Sequence, residues 1–418
     1  MARRSFPCVV LAATAALGAC RGGSNDRPVT VTIAGSAVGA EGEVLSRQVA
    51  QFEQDHPAID VIIQRTPDDA TQRHQLFVQW LNAHVGRPDV LQLDVIWTPE
   101  FAAAGWILPL TRWTPRTDDF FPGVIAADRW RDTLYAIPWW TDVGMLYWRT
   151  DLLAHAPADL DSLPQQLAAI RSQGGPRYGL VWQGARYEGL VTVFVEFLGA
   201  FGGEIMNDSG AVVVDSPRAI AALSFMRNLI RSGAVPSAAM TWHEEEARAA
   251  FQQGNAVLMR NWPYAYALMN DSTQSRVAGR FAVAPMPAAL GGTPTAALGG
   301  QQLAINRWSE HPDSAWELVA FLTAPAQMLQ RAQISGSFPP RRSLYDDPAL
   351  DSALAVPSAT ARALLEHATP RPVTPVYSQL SDLLQIQLHR ALTGQAAPAD
   401  ALHEAARQMN ALLERSRL

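Results

Sequence analysis

An α/β fold built on a parallel sheet is predicted by three observations. Short runs with an apolar period of two alternate with segments whose apolar residues recur at helical spacing. The runs return roughly every 30 residues, the length of a strand plus a helical crossover. The chain of 418 residues also exceeds one core of ~150 residues, so two or three units are expected.

The elements follow in order. Residues 29–33 (VTVTI) form the first strand, and Leu45, Val49 and Phe52 mark one face of the helix after it. Residues 59–63 are the second strand, Leu76, Phe77 and Trp80 belong to the second helix, and residues 90–95 form the third strand. A second α/β unit carries helices over 190–201, 219–232 and 244–253. The last stops at Gly254, before the apolar run 256–259. Residues 284–300 (APMPAALGGTPTAALGG) read as a crossing or loop. The last ~70 residues are helical and rich in Ala and Leu, interrupted by TPRPVTP at 369–375.

The N-terminus has an export signal. Arg3 and Arg4 precede an apolar stretch over 6–17 that is too short for the ~20 residues of a spanning helix. The Leu17-Gly18-Ala19-Cys20 string resembles a bacterial lipobox, with residues 1–19 removed and Cys20 lipidated. Cleavage there discards Cys8 and leaves no pair for a disulfide. Residues 20–27 then tether a folded body to the membrane. The exported chain is expected at the outer face of the cytoplasmic membrane or in the periplasm.

Composition narrows the function. A net charge of −6 without a basic run argues against a nucleic-acid partner. All 33 basic residues are arginine, which excludes a lysine Schiff base or a P-loop lysine. No nucleophile elbow, zinc-protease helix or Cys/His zinc spacing occurs, so no catalytic residue, cofactor or metal is assigned. His243 beside Glu244, Glu245 and Glu246 reads as a solvated helix start rather than a metal site.

Tryptophan is the outlier, with 13 copies, seven of them between Trp97 and Trp148. Ligands of parallel sheets bind where strands end at their carboxyl side. Glu41, Asp94, Trp97 and Asp142 fit that rule. An aromatic face packs on the C–H face of a pyranose, while carboxylates and arginine bond its hydroxyls. Trp97, Trp139, Trp140, Trp262, Tyr264, Asp94, Asp142 and Arg341 are the parts of such a pocket.

Several strings together resemble the family 1 extracellular solute-binding proteins of ABC importers, closest to the trehalose/maltose-binding branch. They are LDVIW at 93–97 with AGW at 104–106, WQG at 182–184 with YEGL at 187–190, and FQQGN at 251–255 with RNWPY at 260–264. LGG at 298–300 and TPRP at 369–372 with PVY at 375–377 complete the series. The resemblance implies a two-lobed periplasmic-binding-protein-like fold of type II, with discontinuous lobes joined by a hinge of three crossings. One lobe takes residues 28–140 and 286–324, the other 141–285 and 325–418.

The resemblance also implies a sugar site at Glu41, Arg73, Asp94, Asp142, Trp262, Tyr264, the backbone of Gly299 and Gly300, and Arg341. It implies capture of a glucose disaccharide such as trehalose or maltose, delivery to ABC permease subunits, and a monomer held to the membrane only at Cys20. Two departures leave the sugar open. Gln301 stands where tryptophan often follows the paired glycines, and Trp140 stands two before Asp142 where tyrosine is usual. An exported glycosidase using Asp94 and Asp142, and a sugar-sensing lipoprotein, are the alternative readings.

Overall fold

The computed structural model describes residues 28–35, 40–289 and 292–416. The export signal, Cys20 and the tether lie outside the described residues. Among these the strands are β1 (Val29–Gly35), β2 (Ile59–Arg65), β3 (Val90–Asp94), β4 (Arg129–Trp130), β5 (Thr133–Leu134), β6 (Ala136–Val143), β7 (Met145–Arg149), β8 (Tyr178–Val181), β9 (Ala256–Asn261), β10 (Phe281–Pro285) and β11 (Leu298–Ile305). No described helix is long and apolar enough to cross a membrane.

The strands make two principal sheets, one in each half of the molecule, with order β2-β1-β3-β11-β6 in the first and β10-β7-β9-β8 in the second. β1 pairs in parallel with β2 and β3, as the helical crossovers require. The Glu41–Asp55 helix buries Val44, Leu45, Val49 and Phe52 on one stripe, and the Ala70–Asn82 helix buries Phe77 and Leu81. β11 and β6 then join antiparallel, closing the first sheet with chain from much later in the sequence.

β11 corrects one expectation. Residues 298–300, read as part of a loop, begin a central strand, because Leu298–Ile305 finds ladder partners on both sides, β3 and β6. Those bonds outweigh the low strand preference of paired glycines. The ladder shifts register between Gln301 and Gln302, and Gly300 has φ 129°, where a side chain is strained.

In the second half the Glu188–Ala200 helix is buried on almost every face. It packs against the Pro217–Arg231 and Tyr377–Leu392 helices. The Glu244–Gln252 helix ends before Gly254, whose φ of 77° turns the chain into β9.

The two halves share chain at three passages. Gly144 alone separates β6 from β7. The chain returns between Pro285 and Leu298. The third passage differs from the expected boundary at residue 325. The Pro325–Ser335 helix packs on the Glu41–Asp55 and Pro312–Leu322 helices of the first half, and Gln48 Nε2 donates to the Gln327 carbonyl at 2.7 Å. Arg342 likewise bonds the Asp118 carbonyl. Residues 325–342 therefore belong with the first half, and the third passage falls later, before the Tyr377–Leu392 helix joins the second. Sequence could not show this, because the amphipathic stripe of 325–335 fits either surface.

Candidate functional site

A cleft of about 380 Å³ opens between the halves, a size suited to a small ligand. On the first side it is walled by helix starts and strand ends. Glu41 opens its helix and Asp94 ends β3. Asp142 lies on β6 opposite Gly299 of β11. Arg73, on the first turn of its helix, also lines the cleft and is bound from behind, its Nη1 donating to the carbonyls of Pro67 and Asp68 at 2.9 and 3.1 Å. Gly299, Gly300 and Gln301 form the floor. A methyl group on Gly299 would sit 3.1 Å from the Trp262 ring and 3.4 Å from Asp142 Cβ, so the missing side chain lets the two walls approach.

The second side is aromatic. Trp262 follows β9 and Tyr264 follows Pro263, both lining the cleft with Tyr187. The Arg260 guanidinium lies 3.8 Å from the Trp262 ring centroid and covers one face of it. Arg260 is paired with Glu196, Nε to Oε2 at 2.8 Å, and both side chains are fully buried.

The start of the Glu244–Gln252 helix holds the polar ends of these rings. Glu244 accepts from Tyr187 Oη at 2.7 Å and Trp262 Nε1 at 3.4 Å, and Glu245 accepts from Tyr264 Oη at 2.7 Å. Burial beside these carboxylates raises both tyrosines well above the usual range, so they stay neutral donors.

Burial first, and then the Glu41 carboxylate, push Asp142 up to about 7, although Trp140 Nε1 donates to it at 3.2 Å. Asp94 is held differently. Arg371 Nη2 reaches its Oδ1 at 3.3 Å while Nη1 bonds Glu188 Oε1 at 2.7 Å, which ties the first half to the second beneath the cleft. Burial would lower the Arg371 pKa, but Asp94 and Glu188 more than reverse that and raise it. Tyr377 and Ser381 complete the shell of Glu188.

Nine of the thirteen residues put forward for the pocket line the cleft together: Glu41, Arg73, Asp94, Asp142, Trp262, Tyr264, Gly299, Gly300 and Gln301. Four do not. Trp139 is 1% exposed, with the Arg331 guanidinium 4.0 Å from its ring. Arg341 turns away, donating to the Thr323 carbonyl and lying 4.2 Å above the Phe120 ring. Its proline-flanked string forms a bridge with Phe120 instead of a cleft edge. Trp97 folds inward onto His74, Phe77 and Phe101 and is 2% exposed. Trp140 is equally buried against Trp139, with the Arg331 guanidinium 4.5 Å from its ring. Its side chain reaches the cleft through its bond to Asp142.

Tyr187, Glu188, His243, Glu244, Glu245 and Arg371 line the cleft but were not predicted as ligand contacts. Two signals were available. Glu188 and Arg371 stand inside the YEGL and TPRP strings, and the three successive glutamates mark a helix N-terminus that favours acids.

Two α/β halves closing on a polar cleft with an aromatic wall define a hinged ligand-binding protein. A model of the bacterial extracellular solute-binding proteins matches residues 36–329, and the chain belongs to that family. A probable ABC transporter-binding protein of Deinococcus radiodurans is 35% identical over 409 residues, covering 94% of this chain and 95% of the relative. Maltose-bound MalE3 of T. maritima superimposes with a TM-score of 0.88 at 41% identity, covering 92% of this chain and all of that one. The GacH receptor of Streptomyces glaucescens, solved unliganded and with acarbose, shares the fold at TM-score 0.83 and 24% identity over 93% of this chain and 99% of that one.

Proposed function

We propose that the chain captures a saccharide outside the cytoplasm and presents it to the permease subunits of an ABC importer. A glucose disaccharide such as maltose or trehalose is the proposed ligand. The observation that carries this is the Trp262 ring, braced on one face by Arg260 and set against a wall of carboxylates. A pyranose presents an apolar C–H face to such a ring and hydroxyl edges to Glu41, Asp94 and Asp142. The maltose bound by the 41% identical T. maritima protein supports the same class of ligand. Gln301, anchored by Gln92 Nε2 at 3.1 Å, adds a hydrogen-bonding amide to the floor.

Capture without turnover is favoured by the placement of the acids. Asp94 and Asp142 project from one sheet, on β3 and β6 with β11 between them, rather than flanking a ligand from opposite sides. Asp94 is also committed to Arg371. The protein acts as a monomer, anchored by acylated Cys20 through the tether at residues 20–27, with the two sheets as the cores of the closing lobes.

The test is calorimetric titration with maltose, trehalose and other α- and β-linked disaccharides, each bound sugar then assayed for release of monosaccharide. Binding heat without release is expected. Silence across the set overturns the ligand class, and release of glucose overturns capture without chemistry.

A further inference from the structure

The two halves also meet at the mouth of the cleft, through two helix starts that face each other. Asp69 caps the Ala70–Asn82 helix of the first half, its Oδ1 accepting from the Gln72 amide at 2.8 Å. Its other oxygen, Oδ2, lies 3.0 Å from Nε2 of His243, the residue that opens the Glu244–Gln252 helix of the second half. Both line the cleft. The imidazole packs 4.4 Å from the Tyr187 ring, and its backbone amide donates to Glu246 Oε2 at 2.9 Å. His243 is 39% exposed and Asp69 14%, so the contact is open to water on one side.

We propose that Asp69 and His243 are closure residues, whose bond across the mouth latches the two halves around a captured saccharide and strengthens when the imidazole takes up a proton. This rests on the saccharide reading above. A protonated imidazole donates from both nitrogens, and the Asp69 bond becomes charge-assisted. The groups that act on the ring are Asp69 across the cleft, Glu244 and Glu246 on its own helix, and Tyr187 beside it, while Arg73, one turn along from Asp69, acts on that carboxylate.

The Asp69 bond raises the His243 pKa above its ordinary value against the opposing effect of burial. Burial of Asp69 is outweighed by its bonds to His243 and Gln72, so its carboxyl titrates below the usual range and stays ionised near neutral pH. Opening the cleft separates the pair and returns His243 toward its ordinary value. Protonation therefore favours the closed form, fully below that ordinary value and progressively less as pH rises through the raised one. Two further ties join the halves: Arg371 links Asp94 to Glu188 far from solvent, and, outside this cleft, Ser378 Oγ donates to Glu100 Oε2 at 2.5 Å. Of these contacts the rim pair holds the most exposed side chain, His243, which suits it to open and close.

The experiment is stopped-flow release of maltose from the whole protein at pH 5.5 and pH 8.5, comparing wild type with His243→Gln, Asp69→Asn and the double variant. Asparagine keeps the helix cap through its side-chain carbonyl. Relative to His243→Gln, wild type is expected to release maltose about fivefold more slowly at pH 5.5, and the ratio should fall toward one at pH 8.5 and in 1 M salt. The two substitutions should be non-additive. Titration of Asp142 is common to all four proteins and cancels in the ratio. A ratio that does not vary with pH, or additive effects, overturns the latch while leaving saccharide capture standing. Failure of all four proteins, wild type included, to bind maltose or any disaccharide of the set overturns both.

Discussion

The two walls of the cleft solve opposite physical problems. The second half presents neutral rings, and each polar end of those rings has a named partner: Tyr187 and Trp262 on Glu244, and Tyr264 on Glu245. Beneath them a buried Arg260–Glu196 pair satisfies its own charge. The first half gathers Glu41, Asp94 and Asp142 close enough that Asp142 is pushed up to about 7 by burial and its neighbours. One wall is built around rings whose polar ends are held by carboxylates, the other gathers its carboxylates so closely that one of them resists ionisation. Held rings suit a stacking surface. Clustered carboxyl acceptors suit a ligand that arrives with hydroxyl donors.

The largest expected effect tests the rigid wall. Glu196→Gln leaves the Arg260 guanidinium buried without its counter-charge, and a loss of about 3–5 kcal/mol of stability is expected in thermal or urea unfolding. A loss below about 1 kcal/mol would mean that the pair is not what braces the platform. Next is the platform itself. Trp262→Ala should weaken disaccharide binding about a hundredfold by calorimetry, the size expected for a central aromatic anchor, and unchanged affinity would remove the ring from the site.

The smallest effect belongs to the charged wall and has the opposite sign. Because the folded pKa of Asp142 lies above its ordinary value, the folded state loses stability as pH rises from about 4 through about 7. Asp142→Asn mimics the neutral acid. The variant should match wild type near pH 4 and be more stable, by of order 2 kcal/mol, at pH 8. Equal melting curves at pH 8 would show that Asp142 carries its charge without strain and would erase the contrast between the walls.

How far the sequence reached depended on whether a residue's role was local. The strand and helix pattern through β3 was readable because each element buries one stripe of its own residues. Trp262 and Tyr264 were readable because they stand in the RNWPY string that carries the family resemblance. Arg341 and Arg371 show the limit. Both sit beside prolines, yet only Arg371 is drawn under the cleft, and what draws it is a pair of carboxylates 183 and 277 residues away. Trp97 follows its strand as a ligand residue would, but the turn after Asp94 swings the ring onto Phe77 and Phe101. Glu244 and Glu245 looked like ordinary helix-start acids; their work on the tyrosines depends on β9 lying alongside.

Gly144, the single residue between the two sheets, has a mechanical consequence. A methyl group there would overlap the Glu196 carboxylate and crowd the Arg260 guanidinium, the pair on which the Trp262 ring rests. The passage between the sheets and the platform are thus one assembly, so a change at Gly144 is felt at the Trp262 ring through the ion pair that both rest on.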